Sequence, residues 1–390
     1  MLLFPAVLAA DTVTLEIVVT VPLGTPEADK VYVSGNVDAL GRWSPAGLLL
    51  ERAEDGTRRA KVQVAKGSEL ELKVTRGTWR TVEQDASGRD IPNRTHRAEK
   101  DGRLEIRVEG WCTGAVKPRP PTITGDVRIH ERVASKLLGN ERTVRVYLPP
   151  AYASGGDARY SVLYLHDGQN AFDAATSAFG VEWGADETAE RLIRAGRIRP
   201  VIIVAADNNA RRMDEYTPSR MESRSAGGKG DLYVRFLAEE LKPFIDATYR
   251  TRTEREHTAV AGSSLGGLIS LYAVQKAPET FGSCAALSPY LGWDDSKLLR
   301  DWRAQTPAAG SLRVWLDMGT LEGFADEPPG ALSPHIQRCR ELVDVLLVSG
   351  WLPGRDYYYL EVAQGKHDEA AWAARLDKVL LFLFGKRQDE

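Results

Sequence analysis

The 390-residue sequence has few cysteines, no block of basic residues and no apolar run long enough to cross a membrane. Its three cysteines, Cys112, Cys284 and Cys339, are too few for a disulfide framework and show no metal-ligand spacing. A single Cys112–Cys339 bridge would suit an oxidising compartment. The net charge of -3, without a basic stripe, gives no indication of nucleic-acid binding. Since a span needs roughly 20 apolar residues, we expect no membrane span.

Residues 1–10 form a short apolar run that ends in Ala9-Ala10, just before Asp11. This pattern is typical of the second half of a secretory signal peptide, although the basic segment that usually precedes it is missing. Either the start codon is assigned too late, or the run is a hydrophobic first strand. We expect a secreted or periplasmic protein, with a cytoplasmic location as the alternative.

The chain divides into two predicted domains. Residues 11–111 contain short segments of period-2 alternation, such as 14–21, 31–33, 60–64, 70–74 and 104–108, which favour a small all-β sandwich. Residues 112–126 contain three prolines within four residues and form a stiff linker. In residues 127–390, continuous apolar runs alternate with helical stretches. This alternation predicts an α/β fold with a mainly parallel sheet flanked by helices.

One motif in the second domain carries chemistry. The strand-like run Thr258–Ala261 leads directly into Gly262-Ser263-Ser264-Leu265-Gly266 and then into a helical stretch. A tight strand-to-helix turn of this kind holds a nucleophilic serine in a strained conformation, and small residues on either side avoid clashes. Ser264 is therefore the predicted nucleophile, with a glycine-rich packing turn as the alternative interpretation.

A serine needs a neighbouring base, and in this fold the order along the chain is serine, acid, histidine. His335 and His367 are the two histidines after Ser264, and His367 lies in a loop between a predicted strand and the last helix. We therefore predict His367 as the base. Glu322, in the loop after the strand 314–318, is the predicted acid, with Asp317 and Asp326 as alternatives.

Two backbone N–H groups should stabilise the oxyanion. One belongs to Leu265, directly after the nucleophile. The other is predicted at Gln169, in the loop His166-Asp167-Gly168-Gln169-Asn170 that follows an earlier strand. Asp167 and Asn170 in this loop are also typical turn-forming residues, and turn formation is compatible with a functional role for them.

Five stretches in the same order resemble the putative esterase family of α/β-hydrolases, which includes enterochelin-esterase-like and feruloyl esterases as well as mycolyltransferases. They are LYLHDGQNAFD (163–173), RMDEYTP (212–218), GSSLGG (262–267), LDMGTLE (316–322) and GKHDEAAW (365–372). The resemblance implies an α/β-hydrolase fold, the triad Ser264, Glu322 and His367, and oxyanion donors Gln169 and Leu265. It also implies substrate contacts for Asp167 and Trp293, with core packing as the alternative for Trp293.

The first domain resembles a starch-binding module over residues 31–45 and 71–94. By this resemblance, Trp43 and Trp79 would stack on sugar rings, and Lys73, Glu83 and Asn93 would bind hydroxyl groups. The family places its second tryptophan directly beside the glutamate, whereas here four residues separate Trp79 from Glu83. A sandwich that only docks on the hydrolase is the alternative interpretation.

The sequence thus predicts a serine esterase that needs no cofactor and no metal, acting on a small-molecule or polysaccharide-linked ester such as a carbohydrate-linked or siderophore-like one. A starch-like glycan is a further predicted partner. Two alternatives remain: an acyltransferase of the same fold, and a glycan-binding protein with an inactive hydrolase domain.

Overall fold

The computed structural model describes residues 11–41, 43–89, 91–112, 120–177, 180–222, 226–322 and 333–386. The predicted targeting segment, residues 1–10, lies outside these ranges. The described residues up to Cys112 belong to one compact unit, and those from Pro120 onwards form a second one. Within these ranges, no helix is both long and apolar enough to span a membrane. The cysteines Cys112, Cys284 and Cys339 are all free thiols in the structure.

The first unit is all-β, as predicted. Its strands are β1 Thr12–Thr20, β2 Val31–Gly35, β3 Leu48–Arg52, β4 Arg58–Ala65, β5 Ser68–Thr75, β6 Glu83–Gln84, β7 Arg94–Ala98, β8 Gly102–Arg107 and β9 Gly110–Trp111. Seven of them are hydrogen-bonded in the order β7-β5-β2-β3-β4-β1-β8, and β6 pairs with β9. Strand β3 pairs with both β2 and β4, so the two halves of the predicted sandwich are joined along one strand. Their inward-facing residues form one core that includes Ile17, Val33 and Leu72.

The second unit is built on an eight-stranded sheet. Its strands are β10 Asp126–Ser135, β11 Asn140–Leu148, β12 Ser161–His166, β13 Val201–Ala206, β16 Thr258–Ser263, β17 Ser283–Leu287, β18 Arg313–Gly319 and β19 Tyr357–Val362, while β14 Arg220–Met221 and β15 Ala226–Gly227 form a small separate pair. The order is β10-β11-β13-β12-β16-β17-β18-β19. Strands β10 and β11 are antiparallel to their neighbours, and the six from β13 to β19 are parallel. The α/β fold class is confirmed.

Helices cover both faces of this sheet and close two apolar cores. They are α1 Ala185–Arg194, α2 Arg212–Glu215, α3 Gly230–Arg235, α4 Lys242–Thr248, α5 Leu265–Lys276, α6 Trp293–Ala304, α7 Pro334–Val348, α8 Glu369–Ala373 and α9 Leu376–Phe384, with a π-helical segment Phe236–Leu241 between α3 and α4. Helix α5 is the helical stretch predicted directly after the motif that contains Ser264. The prediction of one last helix after His367 is wrong in one respect, because the structure has two helices there, with a break between α8 and α9.

The parallel arrangement brings several loops to one edge of the sheet, because parallel strands end on the same side. Strands β12, β16, β17, β18 and β19 end there at His166, Ser263, Leu287, Gly319 and Val362. The residues that follow these ends include every side chain predicted for the reaction. A ligand site is expected at this edge in open α/β sheets.

Candidate active site

Ser264 occupies the sharp turn between β16 and α5. Its backbone has φ 57° and ψ -118°, a conformation that costs of order 1–3 kcal/mol for a residue other than glycine and that is concentrated at functional sites. Its N–H donates to the carbonyl of Leu287 at 3.0 Å, and its carbonyl accepts from Leu268 at 3.0 Å and Tyr290 at 3.1 Å. These bonds hold the turn between β17 and the first turn of α5.

The glycines on either side of the serine are required to different degrees. A Cβ atom at Gly262 would lie 2.9 Å from the backbone of Gly266 and from the ring of His166, which is too close for real contacts. A Cβ atom at Gly266 would meet its nearest neighbour, the His166 side chain, at 3.4 Å, an ordinary contact. The tight approach of β16 to the helix therefore depends mainly on the first glycine.

His367 and Glu322 form a direct pair. Nδ1 of His367 lies 2.8 Å from Oε2 of Glu322, and the histidine is exposed whereas the glutamate side chain is 2% exposed. The pair joins the loop after β19 to the loop after β18, which are adjacent parallel strands. This hydrogen bond fixes the imidazole orientation and directs Nε2 away from the acid.

A buried hydrogen-bond network holds the glutamate from behind. Its Oε1 accepts from Ser288 Oγ at 2.6 Å and from the Gly319 N–H at 2.8 Å. Ser288 Oγ in turn accepts from Trp372 Nε1 at 3.0 Å and from Arg375 at 2.5 Å. The serine therefore connects the glutamate to a buried arginine on the far side of the break between α8 and α9.

The same arginine neutralises a second buried carboxylate. Arg375 lies 2.8 Å from Oδ1 of Asp317 and 3.5 Å from Oε1 of Glu322, and all three side chains are at most 3% exposed. Asp317 also accepts from Trp315 Nε1 at 2.7 Å and from the Ser288 N–H at 3.1 Å. Asp317, the alternative acid, is thus engaged within the core, and Glu322 is the carboxylate that contacts histidine.

The two carboxyl groups respond differently to burial. Burial alone raises the pKa of Glu322, but the hydrogen bonds from His367 and Ser288 and the charges of His367 and Arg375 outweigh it and lower the pKa. For Asp317, burial dominates over the charge of Arg375, and the pKa is raised. Glu322 is therefore held as a carboxylate that can stabilise a cationic imidazole.

The loop after β12 is fixed by polar contacts rather than by apolar packing. Asp167 has φ 58° and pairs through both oxygens with Arg212, at 2.7 Å each, while Asn208 Nδ2 donates to its Oδ1 at 2.6 Å. Burial raises the pKa of Asp167, but the charge of Arg212 and the hydrogen bonds from Arg212 and Asn208 together outweigh that effect and lower the pKa. The carboxylate is thereby committed to shaping the loop, which is the turn-forming role predicted for it.

Gln169, the predicted oxyanion donor, lies in a 3-10 turn from Gly168 to Asn170. Its Oε1 accepts from the Asn208 N–H at 3.0 Å, and its carbonyl accepts from Thr176 Oγ1 at 2.8 Å. Leu265, the other predicted donor, is the first residue of α5, where N–H groups have no partner within the helix. Both side-chain and backbone contacts therefore preset the loop that carries Gln169.

Trp293 and His335, two further residues considered in the sequence analysis, are buried. Trp293 is 2% exposed, and its Nε1 donates to the carbonyl of Ser219 at 2.8 Å, so the structure supports the packing alternative over the substrate contact. His335 is buried at the start of α7, where its ring lies 5.6 Å from that of Tyr290. Asp326, the remaining alternative acid, lies outside the described residues.

Sequence reasoning missed Ser288, Arg375, Trp372 and Tyr290. Ser288 was recognisable only by position, because it directly follows the end of β17 at the same edge as the other predicted residues. Arg375 follows the stretch that resembles the esterase family, in a region where one arginine on a helix normally faces solvent. Its burial follows from the helix break, which the hydrophobic pattern does not reveal.

In the first unit, the predicted glycan residues have unequal roles. The rings of Trp43 and Trp79 lie side by side, with centroids 6.5 Å apart and planes tilted by 41°, and both are partly exposed. Glu83 is fully buried, accepts from the Val74 N–H at 2.9 Å and pairs with Arg94 at 2.8 Å. Its contacts are structural, so we correct its predicted role in binding hydroxyl groups.

The two other polar residues of that set also have partners. Lys73 Nζ donates to the carbonyl of Ile91, and Asn93 Nδ2 donates to Glu71 Oε2 at 3.0 Å. The pair of tryptophans is therefore the part of the predicted set that presents ring surface.

A family model described as "Putative esterase" matches residues 135–383, well over half of the chain. The chain belongs to this esterase family. It is therefore a carboxylic ester hydrolase, as the sequence predicts. The match spans all the loops at the carboxyl edge of the second unit, from β12 to β19.

The chain is also similar to several known proteins. The chain is 27% identical over 255 residues to the iron(III) salmochelin esterase of Escherichia coli O6:H1, covering 62% of this chain and 54% of that protein. Over 86 residues it is 42% identical to an alpha-amylase of Niallia circulans, covering 22% of this chain and 6% of that protein. The crystal structure of the BES protein from Bacillus cereus is similar in fold, with a TM-score of 0.52 and 21% identity over 69% of this chain and 98% of that chain.

Proposed function

We propose that the esterase acts through a serine nucleophile and an acyl-enzyme. The hydrogen bond between His367 Nδ1 and Glu322 Oε2, at 2.8 Å, carries this proposal, because it leaves Nε2 as the basic nitrogen of the imidazole. The strained backbone of Ser264 supports it, since such strain is characteristic of a nucleophile at a strand-to-helix turn.

In the first step, Ser264 Oγ attacks the ester carbonyl carbon while His367 Nε2 takes the hydroxyl proton. The N–H groups of Leu265 and Gln169 stabilise the negative charge on the carbonyl oxygen. The carbon–oxygen bond to the alcohol then breaks, and the imidazolium returns the proton to the leaving alkoxide. The products are the free alcohol and an ester of Ser264 with the acyl group.

In the second step, water attacks this acyl-enzyme. His367 takes a proton from the water, a second tetrahedral intermediate forms, and the Ser264 oxygen leaves with that proton. Glu322 remains a carboxylate throughout and stabilises the imidazolium in both steps. The network through Ser288 and Arg375 holds Glu322 in position and keeps its carboxylate oriented towards His367 through both steps.

The decisive test compares wild-type protein with Ser264→Ala in p-nitrophenyl acetate hydrolysis. We expect kcat/KM to fall by about a thousandfold or more, because the residual rate comes from binding and oxyanion stabilisation alone. A fluorophosphonate probe should label wild type at Ser264 and leave the variant unlabelled. Full turnover by Ser264→Ala would overturn the mechanism. An unlabelled wild type would favour a glycan-binding protein with an inactive hydrolase unit.

For the substrate, we propose a small-molecule ester of the siderophore type or a carbohydrate-linked ester. The siderophore esterase among the similar proteins supports the first class, and the tryptophan pair of the first unit supports the second. A screen of siderophore, feruloyl, acetyl-xylan and short aryl esters separates them by kcat/KM. Adding sugar acceptors to the same assay tests acyl transfer, because a transferase yields a new sugar ester in place of the free acid.

We also propose that Trp43 and Trp79 form a stacking platform for a starch-like glycan. Aromatic faces pack well on the C–H faces of sugars. The backbone of Trp43 is held in place by its main-chain N–H, which donates to the Gly35 carbonyl at 2.7 Å. An amylose pull-down tests this. Trp43→Ala and Trp79→Ala should each no longer be retained on amylose, while Trp111→Phe, a control in the same unit, should still be retained.

Export of the protein, the expectation from residues 1–10, is tested by its presence in periplasmic or culture fractions.

A further inference from the structure

Three carboxyl groups cluster around the start of α1, in the stretch of chain between the Gln169 loop and Ser264. Glu182, Asp186 and Glu187 each place one oxygen within 4.8 Å of an oxygen of the other two. Asp186 is fully buried, and the two glutamates are partly buried. Acidic side chains in a first helical turn are favoured by the helix dipole, but the dipole supplies only about half a positive charge for three carboxyls.

The outer contacts of this acidic cluster are made by the segment 120–125. The Thr124 N–H donates to Asp186 Oδ2 at 2.7 Å, and Thr124 Oγ1 donates to Glu187 Oε1 at 2.9 Å. Thr122 Oγ1 donates to Glu182 Oε1. One oxygen of each carboxyl is thereby satisfied by a neutral donor.

The other oxygen of each carboxyl has no such donor. Among the residues that the structure describes, Asp186 Oδ1, Glu182 Oε2 and Glu187 Oε2 are buried and have no hydrogen-bond partner. A buried polar atom without a partner is destabilising, and three in one cluster require an explanation.

We propose that Glu182, Asp186 and Glu187 bind a hard divalent cation of the Ca²⁺ type. Ca²⁺ takes six to eight oxygen ligands in flexible geometry, and carboxylates are its preferred protein ligands. The three carboxyl groups supply the charge, and water and backbone carbonyls complete the shell. The site is separate from the proposed ester chemistry, which takes place on Ser264 and His367.

A cation here would stabilise the loop that carries Gln169. The carbonyls of Asn170 and Ala171 accept from the N–H groups of Trp183 at 2.8 Å and Ala185 at 3.0 Å. Thr122 Oγ1 also accepts from the Ala174 N–H at 2.9 Å. The cluster is therefore tied by short hydrogen bonds to both ends of the segment 170–185, next to the 3-10 turn that contains Gln169.

Terbium luminescence tests the site directly in the full-length protein. Tb³⁺ replaces Ca²⁺ and is sensitised by a neighbouring indole, and Trp183 lies between Glu182 and Gly184 in the sequence. After removal of metals with a chelator, wild type should show saturable, one-to-one Tb³⁺ emission on excitation of tryptophan, and Ca²⁺ should compete for it. Ca²⁺ at about 100 times its Kd should raise the midpoint of thermal unfolding by roughly 5 °C.

Asp186→Asn should weaken Tb³⁺ binding at least tenfold and remove the Ca²⁺-dependent thermal shift. Glu187→Gln, at a partly exposed position, provides a second variant if the first does not fold. Glu239→Gln is the matched control, because Glu239 is a helical glutamate of the same unit that pairs with Arg235 instead. Unchanged binding in Asp186→Asn and Glu187→Gln, or no saturable binding by wild type, overturns the proposal. In the latter case a proton shared between Asp186 and Glu187 explains the cluster.

Discussion

The indole of Trp372 packs edge-on against the imidazole of His367, with ring centroids 5.0 Å apart and planes at 85°. The same indole donates through Nε1 to Ser288 Oγ at 3.0 Å. One side chain therefore contacts the proposed base on one side and the hydroxyl group that supports its acid on the other. The imidazole is positioned by the carboxylate through a hydrogen bond and by the indole through packing.

Ser288→Ala should slow catalysis with little change in substrate binding. The hydroxyl group donates to Glu322 Oε1 at 2.6 Å, and its loss leaves the carboxylate with fewer constraints on its orientation. We expect kcat to fall by about tenfold while KM changes little, since one hydrogen bond to a charged group is worth roughly 1.5–3 kcal/mol before relaxation. Ser161→Ala, a buried serine at the start of β12, is the control. A wild-type kcat in Ser288→Ala would argue against a positioning role.

Arg375→Met should destabilise the fold, because it leaves Asp317 buried without its cation. Removing one partner of a buried ion pair costs about 3–5 kcal/mol, whereas an exposed pair contributes about 0–1 kcal/mol. Urea unfolding should therefore show a large decrease in the free energy of unfolding for Arg375→Met. The decrease should be small for Arg340→Met, because the partner of Arg340 is the partly exposed Glu361. Equal losses in the two variants would contradict the buried pair as a determinant of stability.

The double variant Asp317→Asn/Arg375→Met gives a sharper measure of the same pair. Residues in direct contact are not additive, so the double variant should lose less stability than the sum of the two single variants. Additive losses would show that each residue acts through other contacts.

Gly262→Ala and Gly266→Ala should differ although both glycines flank the same serine. The added methyl group at position 262 would lie 2.9 Å from backbone atoms that cannot move independently, whereas at position 266 the nearest atom is 3.4 Å away. We expect a loss of more than about 2 kcal/mol in the unfolding free energy for the first and less than about 1 kcal/mol for the second. Chemical denaturation of both variants measures this, and equal losses would refute the steric argument.

The carboxyl group of Glu369 should make stability depend on pH. Burial, and then the charge of Asp167, raises its pKa to about 7 in the folded protein. Between its unfolded pKa near 4.3 and about 7, the folded state binds the extra proton, so this group's contribution to stability decreases as pH rises through that window. Above about pH 7 the carboxyl group is ionised in both states, and its contribution to the free energy of unfolding no longer changes with pH.

Glu369→Gln removes this titration. The variant should therefore gain stability relative to wild type as pH is raised from 5 to 8, by roughly 1–2 kcal/mol after allowance for partial exposure. Thermal unfolding of both proteins at several pH values measures the difference. A difference that is constant across the range would mean that Glu369 titrates as it does in the unfolded chain.

Local sequence signals were sufficient to predict the elements that carry Ser264, the proposed nucleophile. The strand β16, the glycines and helix α5 follow from a short apolar run, a tight turn and a helical stretch that are contiguous in the chain. His367 and Glu322 could also be predicted, because this fold has the chain order serine, acid, histidine and both residues lie in loops after predicted strands. Their pairing at 2.8 Å is consistent with that expectation.

Other elements depend on contacts that are distant in sequence. Helix α6 went unrecognised because it is polar and contains non-helical residues from Asp294 to Ser296. The break between α8 and α9 brings Arg375 into the core, and its partners Ser288 and Asp317 lie 87 and 58 positions earlier in the chain. No local pattern specifies such a contact. The burial of Trp293 follows likewise from its bond to Ser219, 74 positions away.

The break between α8 and α9 also has a consequence for the order in which the enzyme matures during synthesis. The proposed base, the indole beside it and the guanidinium that supports the proposed acid all come from residues 367–375, whereas the proposed nucleophile, Ser264, lies about a hundred positions earlier. A nascent chain emerges from its N-terminus, so the strands up to β18 and the turn that carries Ser264 can form before these residues are available. On the proposed mechanism, hydrolytic competence is therefore acquired only after residues 367–375 have been synthesised.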